Sequence, residues 1–164
     1  MSENNPDISG NGGSGNGAGD GDHQFALEKI YVKDMSFEVP DAPAVFNEDQ
    51  ADTQINMNLK NSHREIDEGV FEVVLHVSLH ATIEERSMFL IEIDQAGLFS
   101  IRGYAADAMR QLVSTTCPAA LYPYLREAIS ATIGRGGFSS ILLQPINFDA
   151  LFAQAEMERA RPQA

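Results

Sequence analysis

Apolar and polar residues alternate along four separate stretches of this chain, and this two-residue spacing constrains the fold more than any other feature. The first stretch begins at Phe25 and ends before Pro40, and the others cover residues 54–59, 71–81 and 89–93. Successive side chains of a strand point to opposite faces of a sheet, so the spacing predicts four strands with one apolar face. Because the connections between them are short, we expect the strands to pair antiparallel.

The spacing also predicts which side chains of the first strand share a face. One parity is mostly apolar: Leu27, Tyr31, Met35, Phe37 and Val39. The other parity is polar and contains Asp34 and Glu38. Leu90, Glu92 and Asp94 share the outward parity of the fourth strand, so two strands can present acidic residues on one open sheet face. Ordinary solvated charge on an antiparallel sheet is the alternative interpretation.

Helical spacing follows the four strands. Gly97 and Gly103 are expected to bracket a bend, after which apolar residues recur with the helical period up to Val113. The pair Cys117-Pro118 is expected to interrupt that helix, and residues 121–133 carry the apolar stripe of a second one. Asn147 is a candidate N-cap for a final short helix. Strands that precede helices predict an α+β fold, a four-stranded antiparallel sheet followed by packed helices.

Both ends of the chain are predicted to lie outside this domain. Residues 1–24 contain seven glycines and almost no large apolar side chain, so folding them would cost entropy without compensating burial. We expect a disordered acidic tail at 1–24, one domain at 25–155 and a flexible C-terminal tail at 156–164.

The charge distribution disfavours one class of partner and favours another. The net charge is -13, and residues 34–94 hold 14 acidic residues against Lys60, Arg64 and Arg86. Such a surface repels phosphate backbones, so nucleic-acid binding is not expected, whereas a basic protein segment would be attracted. The sequence has neither the apolar run of a membrane span nor signal-peptide regions, and Cys117 is its only cysteine. A cytoplasmic protein without direct membrane insertion is therefore expected.

The sequence offers no complete catalytic or metal-binding motif. Asp34 and Glu38 are about 13 Å apart on a strand, which is too wide for a catalytic carboxylate pair, and His76 and His80 are separated equally. No G-x-S-x-G sequence, phosphate loop or His/Cys cluster is present. We therefore predict no catalytic residue, no metal and no cofactor.

Several short segments carry a resemblance to a known family. They read KDMSFEVP at 33–40, GLFSI at 97–101, YPY at 122–124, RG at 135–136 and NFDALF at 147–152. Together they resemble the bacterial protein-export chaperones of the SecB family, which hold unfolded precursor proteins and pass them to the translocase motor ATPase SecA. The resemblance implies a SecB-like fold, assembly as a homotetramer (a dimer of dimers) and ATP-independent binding of unfolded chains.

The resemblance also implies two binding surfaces. SecA docks on the acidic sheet face in that family, and the matching positions are Asp34, Glu38, Leu90 and Glu92. Precursors bind apolar grooves beside the proline-containing connection and the helices, which implies that aromatic residues line them: Phe46, Phe99, Tyr122, Tyr124, Phe138 and Phe152. Packing in the core or a subunit interface is the alternative for each aromatic residue.

Two other classes of protein fit parts of the pattern. An enzyme of the hot-dog type combines a sheet with a long helix, but there the helix comes early, whereas here helical spacing follows the strands. A structural assembly module would need the acidic sheet but no exposed groove. A chaperone binds unfolded chains and a structural assembly module does not, so this binding distinguishes the two.

Overall fold

Four long strands form one antiparallel sheet in the computed structural model, which describes residues 22–47 and 49–161. They are β1 (Gln24–Glu38), β2 (Gln54–Asp67), β3 (Val70–Ile83) and β4 (Arg86–Arg102). The spatial order is β1-β4-β3-β2, so two hairpins join β2, β3 and β4, and β1 pairs with the free edge of β4. The connection from β1 to β2 contains two short 3₁₀ turns, Ala44–Asn47 and Gln50–Asp52. The predicted antiparallel sheet is confirmed.

Three helices follow the strands and cover one face of the sheet. They are α1 (Ala106–Ser114), α2 (Thr116–Arg135) and α3 (Phe148–Ala160). The α2 helix packs on β3 and β4 with a stripe of fully buried side chains: Leu121, Leu125, Ile129 and Ile133. The long helix comes after all four strands, which confirms the α+β order and not the order of a hot-dog fold. Within the described residues, no helix is long and apolar enough to cross a membrane.

Two irregularities in β1 correct the predicted faces of that strand. Register shifts occur between Leu27 and Lys29 and again between Val32 and Asp34. Each shift adds an unpaired residue, which exchanges the faces of the side chains that follow. Tyr31, predicted on the apolar face, therefore lies opposite Ala96 on the same sheet face as Asp34.

The predicted bend at Gly97 is wrong, because β4 continues through this residue to Arg102. A Cβ atom at Gly97 would lie 2.7 Å from Cδ2 of Leu121 and 2.9 Å from the ring of Phe99. The glycine therefore permits the close approach of α2 to the sheet. The chain turns at Gly103, whose φ of +79° suits a glycine.

The helix boundaries also differ from those predicted. Cys117 and Pro118 do not interrupt a helix but lie in the first turn of α2, where a proline has no intrahelical hydrogen bond to lose. The break between α1 and α2 falls at Thr115.

The first strand begins at Gln24 and the last helix ends at Ala160. The α3 helix continues to Ala160, beyond the predicted limit at residue 155, and an ion pair of 3.1 Å joins Arg159 to Glu156 in its last turns. Of the tail predicted at 1–24, Gln24 begins β1, and residues 1–21 lie outside the described part of the chain, as do residues 162–164.

Candidate partner-binding surfaces

The four predicted docking residues lie together on the sheet face that the helices leave open. Glu38 of β1 is directly opposite Leu90 of β4, and Asp34 of β1 is opposite Asp94. Glu92 lies between the two β4 residues on the same face, since alternate residues of a strand share a face. Asp34, Glu38 and Glu92 are exposed and Leu90 is half-buried. The face therefore presents three accessible carboxylates around one apolar side chain.

This open face contains a shallow polar cavity of about 260 Å³. All four strands contribute to its lining: Asp34, Asn58, Lys60, His76, Val77, Ser78, Glu92 and Asp94. Three of these side chains are carboxylates and one is a lysine, so the charge of the cavity favours binding of a cationic group.

Glu72 forms the most strongly held charged cluster on the same face. Its carboxylate accepts hydrogen bonds from Lys33 Nζ at 2.8 Å, from Arg64 Nε at 2.9 Å and from the Tyr31 hydroxyl. Glu72 is only 6% exposed, so each partner compensates a desolvated charge. The hydrogen bonds of Lys33 and Tyr31 lower the pKa of Glu72 to about 2. Burial and the Glu72 carboxylate raise the pKa of Tyr31 to about 12.

This cluster spans the sheet from β1 to β2 and was missed at the sequence level. Tyr31 reaches Glu72 across Ala96, a small residue that lies opposite Tyr31 and is fully buried. The prediction placed Tyr31 on the other face because sequence spacing alone does not reveal a bulge.

The two histidines of β3 have different partners on the open face. His76 lies between Asp94 and Ser62, and His80 lies 2.9 Å from Ser87 Oγ. Across residues 22–47 and 49–161, no group of three His, Cys, Asp or Glu side chains could hold a metal ion.

The predicted groove residues divide into buried and accessible sets. Phe99, Tyr122 and Phe138 are at most 7% exposed and belong to the core. Phe99 in particular has no exposed surface, so in this structure it cannot contact a client, and its predicted groove role is withdrawn. Phe46 and Tyr124 are 44% and 51% exposed.

Buried aromatic residues support the accessible Phe46. Its ring centroid lies 5.3 Å from that of Phe138, which in turn lies 4.8 Å from that of Phe89. Tyr122 is fixed by a hydrogen bond of 2.5 Å from its hydroxyl to the Gln144 carbonyl. Core aromatics thus position an exposed one beside the β1–β2 connection.

Two apolar depressions lie on the helix side of β2. One of about 220 Å³ adjoins the β1–β2 connection and includes Ile55, Met88 and Phe138 in its lining. Another of about 260 Å³ lies between β2 and α3 and includes Leu59 and Phe152. Two of the lining side chains, Ile55 of the first and Leu151 of the second, are at least 41% exposed.

A second uncovered apolar surface follows the helix side of β1. Four side chains of this edge strand are between 36% and 49% exposed: Phe25, Leu27, Val32 and Met35. They pair with core-facing residues of β4, so they continue the apolar layer that the helices cover elsewhere.

Comparisons with known proteins agree on one family. A family model described as preprotein translocase subunit SecB matches residues 18–159. The protein-export protein SecB of Chromobacterium violaceum is 46% identical over 136 residues, covering 83% of this chain and 90% of the relative. That of Methylococcus capsulatus is 44% identical over 143 residues, covering 87% of this chain and 91% of the relative.

A solved structure supports the same fold. The SecB-like chaperone of Mycobacterium tuberculosis, in complex with a ChAD peptide from the HigA1 antitoxin, aligns with a TM-score of 0.61. The alignment covers 75% of this chain and 91% of the other at 19% identity, so it supports the fold alone. Given the family-model match and the two relatives above 40% identity, this chain belongs to the SecB family of preprotein translocase subunits.

Proposed function

We propose that this SecB family member is an ATP-independent chaperone for protein export. It holds precursor proteins unfolded in the cytoplasm and delivers them to the SecA motor ATPase. The observation that carries the proposal is the separation of two surfaces: exposed apolar side chains lie on the helix side of the sheet, and accessible carboxylates lie on its open side. A client and a motor can therefore bind at the same time.

The apolar surface beside the β1–β2 connection is the proposed client groove. Ile55 lines the depression at this connection, and the exposed Phe46 lies in the connection itself. Tyr124 is exposed, and the half-buried Phe152 lines the second depression. Many weak apolar contacts suit a binder that must accept different unfolded segments. No bound nucleotide is needed, because release follows from transfer to the motor.

The acidic open face is the proposed SecA docking surface. Asp34, Glu38 and Glu92 surround Leu90, so a basic segment with one apolar anchor matches both the charge and the apolar character of the face. Opposite charge accelerates the encounter and gives specificity, and it makes binding weaken as salt is raised.

Assembly as a homotetramer, a dimer of dimers, completes the proposal. The uncovered apolar side chains of β1 are the surface expected to be buried by another copy of the chain. A second copy along this edge would cover the unpaired strand as well.

A variant of Phe46 tests the client groove. Phe46→Ser removes a ring that is 44% exposed. Burying this exposed part against a client contributes about 1 kcal/mol to the free energy of binding. Client affinity should fall about fivefold. The matched control is Ile66→Ser, an apolar residue that is 46% exposed at the far end of β2. Equal affinities of the two variants for a denatured precursor would contradict the assignment of Phe46.

A double charge reversal tests the docking surface. Asp34→Lys with Glu92→Lys changes the charge of the open face by four, and SecA affinity should fall by at least about tenfold at low salt. The control pair is Glu84→Lys with Glu85→Lys, which makes the same charge change in the exposed β3–β4 turn. Unchanged SecA binding by the folded Asp34/Glu92 variant would exclude this docking site.

A further inference from the structure

Three polar side chains from neighbouring strands form a continuous hydrogen-bond chain on the open face. Ser62 Oγ of β2 lies 2.7 Å from Nε2 of His76, and Nδ1 of the same ring lies 2.7 Å from Oδ1 of Asp94 on β4. An ionised carboxylate only accepts hydrogen bonds, so Nδ1 keeps its proton and donates a hydrogen bond to Asp94. In the neutral ring, Nε2 then accepts the hydrogen bond of the Ser62 hydroxyl.

This is the arrangement of nucleophile, base and orienting carboxylate that activates serine hydroxyls for acyl transfer. We propose that Ser62 is an activated nucleophile that accepts acyl groups from small neutral esters. The Ser62 Oγ forms a bond to the carbonyl carbon while its proton moves to Nε2 of His76. The ester's alkoxide then leaves with that proton, and the product is an acyl-Ser62 ester and a free alcohol. Water releases the acid by the reverse proton transfers and restores Ser62.

The register of the two hairpins builds this site. His76 of β3 is directly opposite Asp94 of β4, and Ser62 of β2 is opposite Val74, which places it diagonal to His76. Directly opposed side chains on a sheet have Cβ atoms about 5 Å apart and diagonal ones about 7 to 8 Å, within reach of an imidazole. Sequence motifs do not reveal the site because its members lie on three strands.

The surroundings define the class of substrate. His76 and Asp94 have side chains that are 40% and 33% exposed and line the polar cavity of about 260 Å³ on this face. Asp34 and Glu92 line the same cavity together with Lys60, and the excess of carboxylates repels anionic esters. Neutral esters are therefore preferred.

The backbone of the sheet limits the rate of acyl transfer at Ser62. Strand amides lie in the plane of the sheet, whereas the Ser62 side chain stands on its open face, so the amides of β2 do not form a backbone oxyanion hole above Ser62. We therefore expect stoichiometric acylation to be easier to detect than rapid turnover. The assay should follow the adduct itself and not only the released alcohol.

The test is modification of the full-length protein by a fluorophosphonate, located by intact mass and peptide mass spectrometry. The expected adduct is a single phosphonyl group on Ser62, formed with loss of fluoride. Ser62→Ala should abolish it, and His76→Gln should slow it about 100-fold, the lower range of general-base catalysis. Neither variant alters a residue of the proposed SecA docking set, so docking and acylation are tested separately.

The chain provides a matched control in Ser87, whose hydroxyl lies 2.9 Å from His80 Nε2. In the described part of the chain, His80 makes no hydrogen bond to a carboxylate, so this pair lacks the orienting group. Ser87→Ala should leave labelling unchanged. Asp94→Asn should slow labelling, and Asp94→Glu, which keeps a carboxylate, should restore part of the rate. An adduct that persists in Ser62→Ala, or no adduct at all with the folded protein, would overturn the proposal.

Discussion

The buried Glu72 carboxylate is expected to make folding stability depend on acid pH. Replacement by Gln keeps the size of the side chain and removes the charge that Lys33 and Arg64 neutralise at 2.8 and 2.9 Å. The variant thus resembles the protonated carboxyl group. The difference in unfolding free energy between the wild type and Glu72→Gln therefore measures how much the ionised Glu72 carboxylate stabilises the fold.

The magnitude follows from the pKa. Lys33 and Tyr31 lower the pKa of Glu72 from 4.5 to about 2, and one pH unit corresponds to about 1.4 kcal/mol. The ionised form is therefore stabilised by about 3 kcal/mol in the folded protein. Because the folded pKa is lowered, this stability is fully present above pH 4.5 and is lost as the pH falls towards 2.

Urea unfolding of both proteins between pH 7 and pH 2.5, at one fixed protein concentration, measures this difference. Glu72→Gln should be less stable by about 3 kcal/mol at pH 7, and the gap should narrow steadily below pH 4.5. Glu38→Gln, an exposed carboxyl group on the same face, should change stability by less than about 0.5 kcal/mol. The reasoning would be refuted if wild type and Glu72→Gln had the same free energy of unfolding at pH 7, or if their difference were the same at all pH values.

Three further predictions concern packing, capping and thiol chemistry. Gly97→Ala should lower the free energy of unfolding by about 1 to 3 kcal/mol, because its Cβ would meet Leu121 Cδ2 at 2.7 Å; a thermal melt equal to wild type would contradict the close approach of α2. Asn147→Ala should cost about 1 kcal/mol in the same assay, since the Asn147 side chain caps α3 through a 3.0 Å hydrogen bond from the Ala150 amide. Burial raises the pKa of Cys117 to about 12, so iodoacetamide should modify it only after unfolding, and rapid modification of the native protein would show that the thiol is accessible.

Regular spacing explains what the sequence could predict. The four strands and the stripe of α2 each repeat a period over many residues, so their type was clear from spacing. The four residues proposed for docking were also predicted on one face correctly, because Asp34 and Glu38 both follow the β1 bulges. Parity within an uninterrupted segment is reliable.

The errors come from features that depend on tertiary contacts. The bulge between Leu27 and Lys29 moved Tyr31 to the open face, and only the structure shows the Glu72 cluster that results. The β3–β4 turn uses Glu84 and Glu85 with φ of 47° and 70°, which are not the residues that usually mark such a turn. Because the sequence did not reveal the position of this turn, the pairing of His76 with Asp94 could not be predicted.

The central claim is that the protein holds unfolded chains without nucleotide. The most direct measurement is light scattering from a denatured, slow-folding precursor diluted into nucleotide-free buffer at defined ratios of the assembled protein. The account predicts that scattering is suppressed near one assembly per precursor chain. Full aggregation in the presence of an intact assembly would contradict it.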